Sequence, residues 1–162
     1  TRLAWGFHPL MSFGPELYDL STYSSIPWIG ESQGPEFREL FPSLPNPFFR
    51  ISAENKALYH ALCVMSGNFT ALLWTQILEA FPKTLGIPAE AALPYLRQVA
   101  QNLLTHPDRP RDFWTGPLVR GDQATIEKNL HALENHPYQD VYRAFAGAHS
   151  RLLKPSAKES SS

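Results

Sequence analysis

The fold is decided by residues 52–81, which read Ser-Ala-Glu-Asn-Lys-Ala-Leu-Tyr-His-Ala-Leu-Cys-Val-Met-Ser-Gly-Asn-Phe-Thr-Ala-Leu-Leu-Trp-Thr-Gln-Ile-Leu-Glu-Ala-Phe. Ser52 is a residue type that caps helix N-termini, and no proline interrupts the run that follows it. We therefore predict a long helix over residues 53–81. Apolar residues fall on most of its sides, so the helix is either central to a bundle or packed against a partner subunit.

Weaker signals on both sides of this helix predict a mainly α fold preceded by a few short strands. Further helices are expected over residues 88–105, from a cap at Asp122 to 134, and over 138–153. Strands are expected at residues 3–7, 25–30 and 48–51, with a short helix at 35–41; Pro27 confines the second strand to an edge position or to an irregular form. These signals divide the chain into a strand-containing part, 1–51, a helical domain, 52–154, and a disordered tail, 155–162.

Composition narrows the functional classes. The 162 residues carry 14 Lys plus Arg against 15 Asp plus Glu, a net charge of −1, which disfavours nonspecific nucleic-acid binding. The sequence has no uninterrupted run of eighteen apolar residues and no signal-peptide pattern, so we expect a cytoplasmic protein without a membrane partner. The single cysteine, Cys63, excludes a disulfide framework and is expected to be a buried thiol.

The chain opens almost directly on an apolar strand, which suggests the later part of a longer protein.

A polar stripe runs along the predicted long helix. Lys56 and His60 are four residues apart, Cys63 and Gly67 continue the stripe, and Asn68 lies beside it. Burial of these groups in an apolar helix is costly unless partners or a ligand satisfy them, so a polar-lined cleft is one interpretation. In the other, Lys56 lies in solvent, His60 bonds a backbone carbonyl, and Gly67 allows close helix packing.

Residues 112–122, Asp-Phe-Trp-Thr-Gly-Pro-Leu-Val-Arg-Gly-Asp, form the second concentration of chemical groups. Aromatic rings, a guanidinium and a helix N-terminus suit an anionic or carbonyl ligand. The same residues also suit an ordinary connection in which Phe113 and Trp114 fill the core. The six histidines lack the spacing of a metal site, so no metal is expected.

Three segments in order resemble a known family: residues 8–13 (His-Pro-Leu-Met-Ser-Phe), residues 56–61 with 66–69 (Lys-Ala-Leu-Tyr-His-Ala and Ser-Gly-Asn-Phe), and residues 115–122 (Thr-Gly-Pro-Leu-Val-Arg-Gly-Asp). The family comprises Rossmann-like proteins whose C-terminal helical domain has no known function. That domain is similar to the C-terminal domains of 6-phosphogluconate dehydrogenase, ketopantoate reductase and pyrroline-carboxylate reductase. The resemblance implies that residues 1–51 close a Rossmann sheet and that the following helical bundle binds substrate and forms a dimer.

The resemblance also implies roles for particular residues. Related dehydrogenases place a Lys and, four residues later, an Asn on the first long helix, where they polarise the substrate. Lys56 and His60 have that spacing, and a histidine in place of Asn suggests a general acid or base. Asn68, Thr115 and Arg120 would bind substrate in the same cleft, and His8 would face the cofactor.

We therefore expect the C-terminal substrate-binding and dimerisation part of an NAD(P)-dependent oxidoreductase. NAD(P) is expected only in an intact protein that also has a nucleotide-binding half, and the chain alone is expected to bind no cofactor and to be inactive. The long helix 53–81 is expected to form a homodimer. The alternative is a noncatalytic module for dimerisation or small-ligand binding.

Overall fold

A computed structural model describes residues 5–152. The chain forms two compact units, the first ending at Leu93 and the second beginning at Pro94. This division falls well after the sequence boundary near Ser52 and places the long helix in the same unit as the strands. The first unit contains a three-stranded sheet and the second is entirely helical in its described part. The predicted mainly α fold with a few initial strands is confirmed.

The sheet has strands β1 (Phe7–Pro9), β2 (Trp28–Glu31) and β3 (Phe48–Ile51) in that spatial order. β1 pairs antiparallel with β2, opposing His8 to Ile29, and β2 pairs parallel with β3. The predicted edge position of the second strand is wrong: β2 is central, because Pro27 lies just before it and there accepts a hydrogen bond from Leu10 N at 2.8 Å. The predicted first strand is also shifted, since His8 and Pro9 lie inside β1; Leu3 and Ala4 lie outside the described residues.

An aromatic cluster forms the core of the first unit. Phe37, in the short helix Phe37–Leu40, is 0% exposed. Its ring lies 5.1 Å from that of Phe41, 5.3 Å from Trp28 and 5.6 Å from Phe48, measured between centroids. Such offset and tilted aromatic pairs are favourable beyond the area that they bury. The cluster fixes the short helix against the sheet.

Two polar side chains hold the connections of the sheet in place. Arg50 on β3 donates to the carbonyls of Glu31, Ser32 and Gly34 at 2.8–3.0 Å. Its guanidinium also pairs with Glu36 at 2.7 Å. Asn46 is buried and donates to the carbonyls of Tyr23 and Ile26 at 2.6 and 3.0 Å, so no buried amide proton of its side chain lacks an acceptor.

The long helix runs from Ala53 to Leu85, four residues beyond the predicted end. It consists of a 3₁₀ turn, α segments at Lys56–Cys63 and Thr70–Ala80, and π turns at Val64–Phe69 and Phe81–Leu85. Pro82 is accommodated within the last π turn rather than ending the helix. The helix ends at Gly86, whose φ of 67° is the left-handed conformation that glycine adopts without strain.

The long helix has no fully buried residue. By length and composition alone it could cross a membrane: it has 33 residues, and its most apolar eighteen have a mean hydropathy of 1.3. The sequence expectation of no membrane partner rested on the absence of an uninterrupted apolar run, and it stays a prediction. Helices that pack in the cores or interfaces of soluble proteins pass the same test, so this property is weak support for a membrane location.

The remaining helices agree with the predicted pattern, with short additions. Besides the long helix, the described helices are Leu20–Ser25, Phe37–Leu40, the 3₁₀ turn Ala89–Ala92, Leu93–Thr105, the 3₁₀ turn Pro110–Phe113, Pro117–Arg120, Gln123–Ala132 and Gln139–Leu152. Asp122 caps its helix as predicted, accepting from Thr125 N at 3.1 Å. Leu20–Ser25 was not predicted, although Asp19 caps it through Thr22 N at 2.6 Å. The disordered tail predicted at 155–162 lies outside the described residues.

Candidate functional site

A hydrogen bond ties the sheet to the long helix. Nδ1 of His8, on β1, lies 2.6 Å from the hydroxyl of Tyr59, and the two rings pack edge to face with centroids 5.6 Å apart. Side chains alternate between the two faces of a strand. Phe7 therefore joins the aromatic cluster, with its ring 6.2 Å from that of Phe37, while its neighbour His8 meets the helix.

The larger cavity of the first unit lies beside this contact. Its volume is about 510 Å³ and it is open to solvent. One wall comes from the segment that follows β1 and the other from the middle of the long helix. The lining residues are His8, Leu10, Met11, Ser12, Phe13, His60, Cys63, Val64, Ser66, Gly67 and Asn68. The structure thus brings together three of the predicted site residues, His8, His60 and Asn68.

The π turn at Val64–Phe69 shapes the helical wall of this cavity. A π turn inserts an extra residue into the helical repeat and occurs frequently at functional sites. Ser66 donates its hydroxyl proton to the carbonyl of Leu62 at 2.8 Å, which satisfies a backbone acceptor within the irregular region. A methyl group added to Gly67 would meet no atom of the described residues within 4 Å, so this glycine does not serve close helix packing among them.

Lys56 lies apart from the larger cavity. Its Nζ pairs with Oε1 of Glu31 at 2.6 Å, and it lines a second cavity of about 110 Å³. His8 borders both cavities, and Tyr59 lines the smaller one. Lys56, His60 and Asn68 are all exposed, so the costly burial that motivated one sequence interpretation does not occur. In the other interpretation His60 bonds a backbone carbonyl, and within residues 5–152 it makes no such bond.

Two residues of the site differ from the sequence expectation. Cys63 is only half-buried and lines the larger cavity, so the prediction of a buried thiol is wrong. Tyr59 was not predicted as a site residue. Burial and the neighbouring Cys63 thiol raise the pKa of Tyr59 to about 12, which keeps its hydroxyl protonated. The sequence signal that could have indicated Tyr59 is its position next to His60 in the family motif. Its contact with His8 could not be predicted from spacing, because the two residues are fifty-one positions apart.

Thr115 and Arg120, the other predicted substrate residues, belong to the second unit. Arg120 is exposed at the end of Pro117–Arg120, with its guanidinium 4.0 Å from the Asp122 carboxylate. Hydrogen bonds from Thr125, with a smaller effect of Arg120, hold the pKa of Asp122 below its ordinary value of 3.8. This carboxylate is therefore occupied as a helix cap.

Thr115 lines a cavity of about 410 Å³ in the second unit. The described residues around it are uncharged or aromatic: Tyr95, Gln98, Val99, Asn102, Leu103, Phe113, Trp114, Thr115, Leu118, Val119 and His149. Phe113 and Trp114 are half-buried here, so they contribute to a cavity wall and do not fill a core completely. Nε2 of His149 is buried and has no hydrogen-bond partner among the described residues. Among all residues from 5 to 152, no group of three or more His, Cys, Asp or Glu side chains could hold a metal ion.

Residues 30–149 match DUF2520, a family described as a domain of unknown function. The chain belongs to the DUF2520 family. The matched region contains five of the six predicted site residues, from Lys56 to Arg120, whereas His8 precedes it. None of the curated protein sequences matches this DUF2520 chain.

Solved structures share the fold of this DUF2520 protein. A Bacteroides fragilis protein with the provisional name NADP oxidoreductase superposes with a TM-score of 0.71 at 23% sequence identity, covering 90% of this chain and 56% of its own. A Thermotoga maritima protein superposes with a TM-score of 0.64 at 21% identity, covering 90% and 59%. The chain therefore spans little more than half the length of these structures.

Proposed function

We propose that this DUF2520 chain is the C-terminal substrate-binding and dimerisation part of an NAD(P)-dependent oxidoreductase. The shared fold with a protein provisionally named NADP oxidoreductase supports the class of activity. Coverage of 56% of that protein's chain leaves room there for a further domain. The likeness of the helical domain to that of 6-phosphogluconate dehydrogenase and ketopantoate reductase is part of the same proposal.

The observation that carries the proposal is the larger cavity. A histidine from the sheet, His8, and two polar residues of the long helix, His60 and Asn68, line one open space of about 510 Å³. This volume suits a small ligand, and a few convergent polar groups among apolar ones are typical of ligand sites. Within the cavity we assign proton transfer to His60 and substrate hydrogen bonding to Asn68.

The proposed role of Lys56 depends on the weakness of its ion pair with Glu31. Its ion pair with Glu31 joins a lysine side chain that is 58% exposed to a carboxylate that is 23% exposed. Ion pairs of this kind contribute about 0–1 kcal/mol, so a ligand can displace the ammonium group at little cost. We propose that Lys56 assists catalysis after such a displacement, and that Thr115 and Arg120 bind substrate in the intact protein.

The described residues do not fit a complete dinucleotide. The sequence has no Gly-x-Gly-x-x-Gly turn, and the described lining of the larger cavity contains no Lys or Arg that could hold phosphate groups. Only His8 is proposed to face a cofactor, at the end that reacts. We therefore assign NAD(P) binding to the intact protein and derive no chemical step through the cofactor.

We further propose that the long helix forms a homodimer. Five apolar residues, spaced four, three, four and three apart, are about half exposed: Leu58, Leu62, Met65, Phe69 and Leu72, at 49–59%. These five residues form the apolar stripe. Spacings of three and four residues place side chains on one face within an α segment, and the π turn at Val64–Phe69 changes the direction in which the residues after it face. Exposed apolar side chains that lie next to one another are typical of interaction sites.

Cofactor binding and a matched pair of variants test the oxidoreductase assignment. Titration of NADPH and NADH into the protein expressed from its complete gene should show saturable enhancement of nicotinamide fluorescence. In a screen of NADPH oxidation with small carbonyl compounds, His60→Ala should abolish turnover, whereas His131→Ala, at a histidine side chain that is 85% exposed in the second unit, should not. Full turnover of His60→Ala would contradict the acid–base assignment, and absence of binding would contradict the activity.

The size of the native polypeptide provides an independent test. An antibody against this chain, of 18.3 kDa, should detect a band about 11 kDa larger in extracts of the source cells, which is the mass of roughly one hundred additional residues. A band near 18 kDa would favour the second candidate, a noncatalytic module for dimerisation or ligand binding. The exposed apolar stripe favours that candidate too, since it requires a partner but no chemistry.

A further inference from the structure

The contact between His8 and Tyr59 defines where one proton lies. The hydroxyl oxygen and Nδ1 are 2.6 Å apart, a short hydrogen bond that either group could donate. Among the described residues, the Cys63 thiol is the other group that neighbours the Tyr59 hydroxyl as a possible acceptor. A neutral imidazole nitrogen accepts hydrogen bonds well, whereas thiol sulfur accepts them weakly. The phenolic proton therefore lies between Tyr59 and Nδ1.

A neutral histidine that accepts at Nδ1 carries its proton on Nε2. No described residue hydrogen-bonds to Nε2 of His8, and the side chain is exposed at the border of both cavities. This nitrogen is therefore available to a ligand as a donor.

We propose that Tyr59 is a positioning residue that holds His8 in the neutral Nε2–H tautomer, so that His8 donates a hydrogen bond to a carbonyl oxygen of the ligand in the larger cavity. The inference rests on the proposed function only in treating this cavity as a ligand site.

The described lining of the cavity selects the class of ligand. It contains no Asp, Glu, Lys or Arg, so apart from the two histidines it offers no ionisable group to balance a phosphate or a carboxylate. Leu10, Met11 and Phe13 supply apolar surface, and Asn68 supplies a further amide. An uncharged ketone, aldehyde or amide fits this combination.

The tautomer can be read directly from ¹⁵N-labelled protein. Long-range ¹H–¹⁵N correlation at a pH where His8 is neutral should show Nδ1 as the acceptor nitrogen and Nε2 as the protonated one. A slowly exchanging Tyr59 hydroxyl proton should also appear. A proton on Nδ1 of the wild-type chain would overturn the proposal, and this measurement requires no variant to fold.

Two variants test the positioning role, with nicotinamide as an uncharged amide probe. Tyr59→Phe should return Nδ1 to its signal without a hydrogen bond and weaken nicotinamide binding, followed at the His8 resonances, by about three- to tenfold, the loss typical of one uncharged hydrogen bond. Tyr18→Phe is the matched control, because its hydroxyl bonds the backbone of Gly14 and Ser12 in the adjoining segment. It should leave the His8 signals unchanged.

Unchanged His8 signals and nicotinamide affinity in Tyr59→Phe would overturn the proposal. Equal changes in Tyr18→Phe would also overturn it, since they would show a general loosening of the cavity wall. Failure of the complete protein to bind NADPH or NADH would contradict the proposed function and leave the tautomer result intact, so the two failures are distinguishable.

Discussion

Leu62→Asp should dissociate the proposed homodimer. Leu62 is the second of the five residues of the apolar stripe and is 55% exposed in the single chain. Complete burial of a leucine side chain contributes about 1.5–3 kcal/mol, so covering its remaining half contributes about 1 kcal/mol. An aspartate at this position would also place an unpaired carboxylate in an apolar contact, which costs several kcal/mol.

A conservative total is about 2 kcal/mol per copy. Because a twofold dimer contains the position twice, the dimer loses about 4 kcal/mol, which corresponds to roughly a thousandfold increase in Kd. The isolated chain should be affected much less, since substitutions at exposed sites change stability by about 0.5 kcal/mol. Dissociation without unfolding is therefore the expected result.

Sedimentation velocity over roughly 1 to 100 µM chain would measure the change. Wild type should sediment as a dimer and Leu62→Asp as a monomer, with matching far-UV circular dichroism. Thr75→Asp is the matched control: it adds the same charge to an exposed polar position of the same helix, outside the apolar stripe.

A monomeric wild type throughout this range would refute the dimer, as would an unchanged Kd in Leu62→Asp. Cosedimentation of the wild type with phosphatidylcholine vesicles would show instead that the long helix enters a membrane, for which its length and hydropathy are sufficient.

Three further changes test the fold itself. Phe37→Ala should lower the free energy of unfolding by about 3–5 kcal/mol in urea titrations, because it empties the centre of the aromatic cluster; a loss below about 1 kcal/mol would contradict that placement. Gly30→Ala should cost about 1–3 kcal/mol in the same assay, since the added carbon would lie 2.8 Å from the Phe48 ring, and an unchanged midpoint would be inconsistent with this contact. Asp122 has a lowered pKa, so its stabilisation is present above about pH 4 and is lost as the pH falls through its folded-state pKa. Asp122→Asn keeps a capping residue but should show a smaller drop in Tm between pH 7 and pH 3 than wild type; equal drops would argue against this carboxylate.

The helical part of the fold was predictable because its signals are local. Ser52 stands at the N-cap position of the long helix as predicted, although its side chain makes no cap hydrogen bond, and Asp122 predicts the cap that the structure shows. The end of that helix was missed because a π turn accommodates Pro82. The edge position predicted from Pro27 was wrong, because a proline immediately before a strand removes no hydrogen bond from the ladder of that strand.

The candidate site was predictable only in part. The spacing of His60 and Asn68 placed them near one another on a single helix, and His8 joined them through the family resemblance. Lys56 has the expected spacing from His60, yet its ammonium group turns to Glu31, which comes from β2. No periodicity along the helix could indicate a partner that the sheet supplies.

The sequence by itself determined the class of the fold and the helix boundaries set by caps and glycines, because those depend on interactions between residues a few positions apart. Only the tertiary structure decided that Tyr59 meets His8, that Lys56 pairs with Glu31, and that the larger cavity opens beside them. Each of these contacts joins residues twenty-five or more positions apart and depends on how the strands pack against the long helix. Packing of that kind is not encoded in any short stretch of sequence.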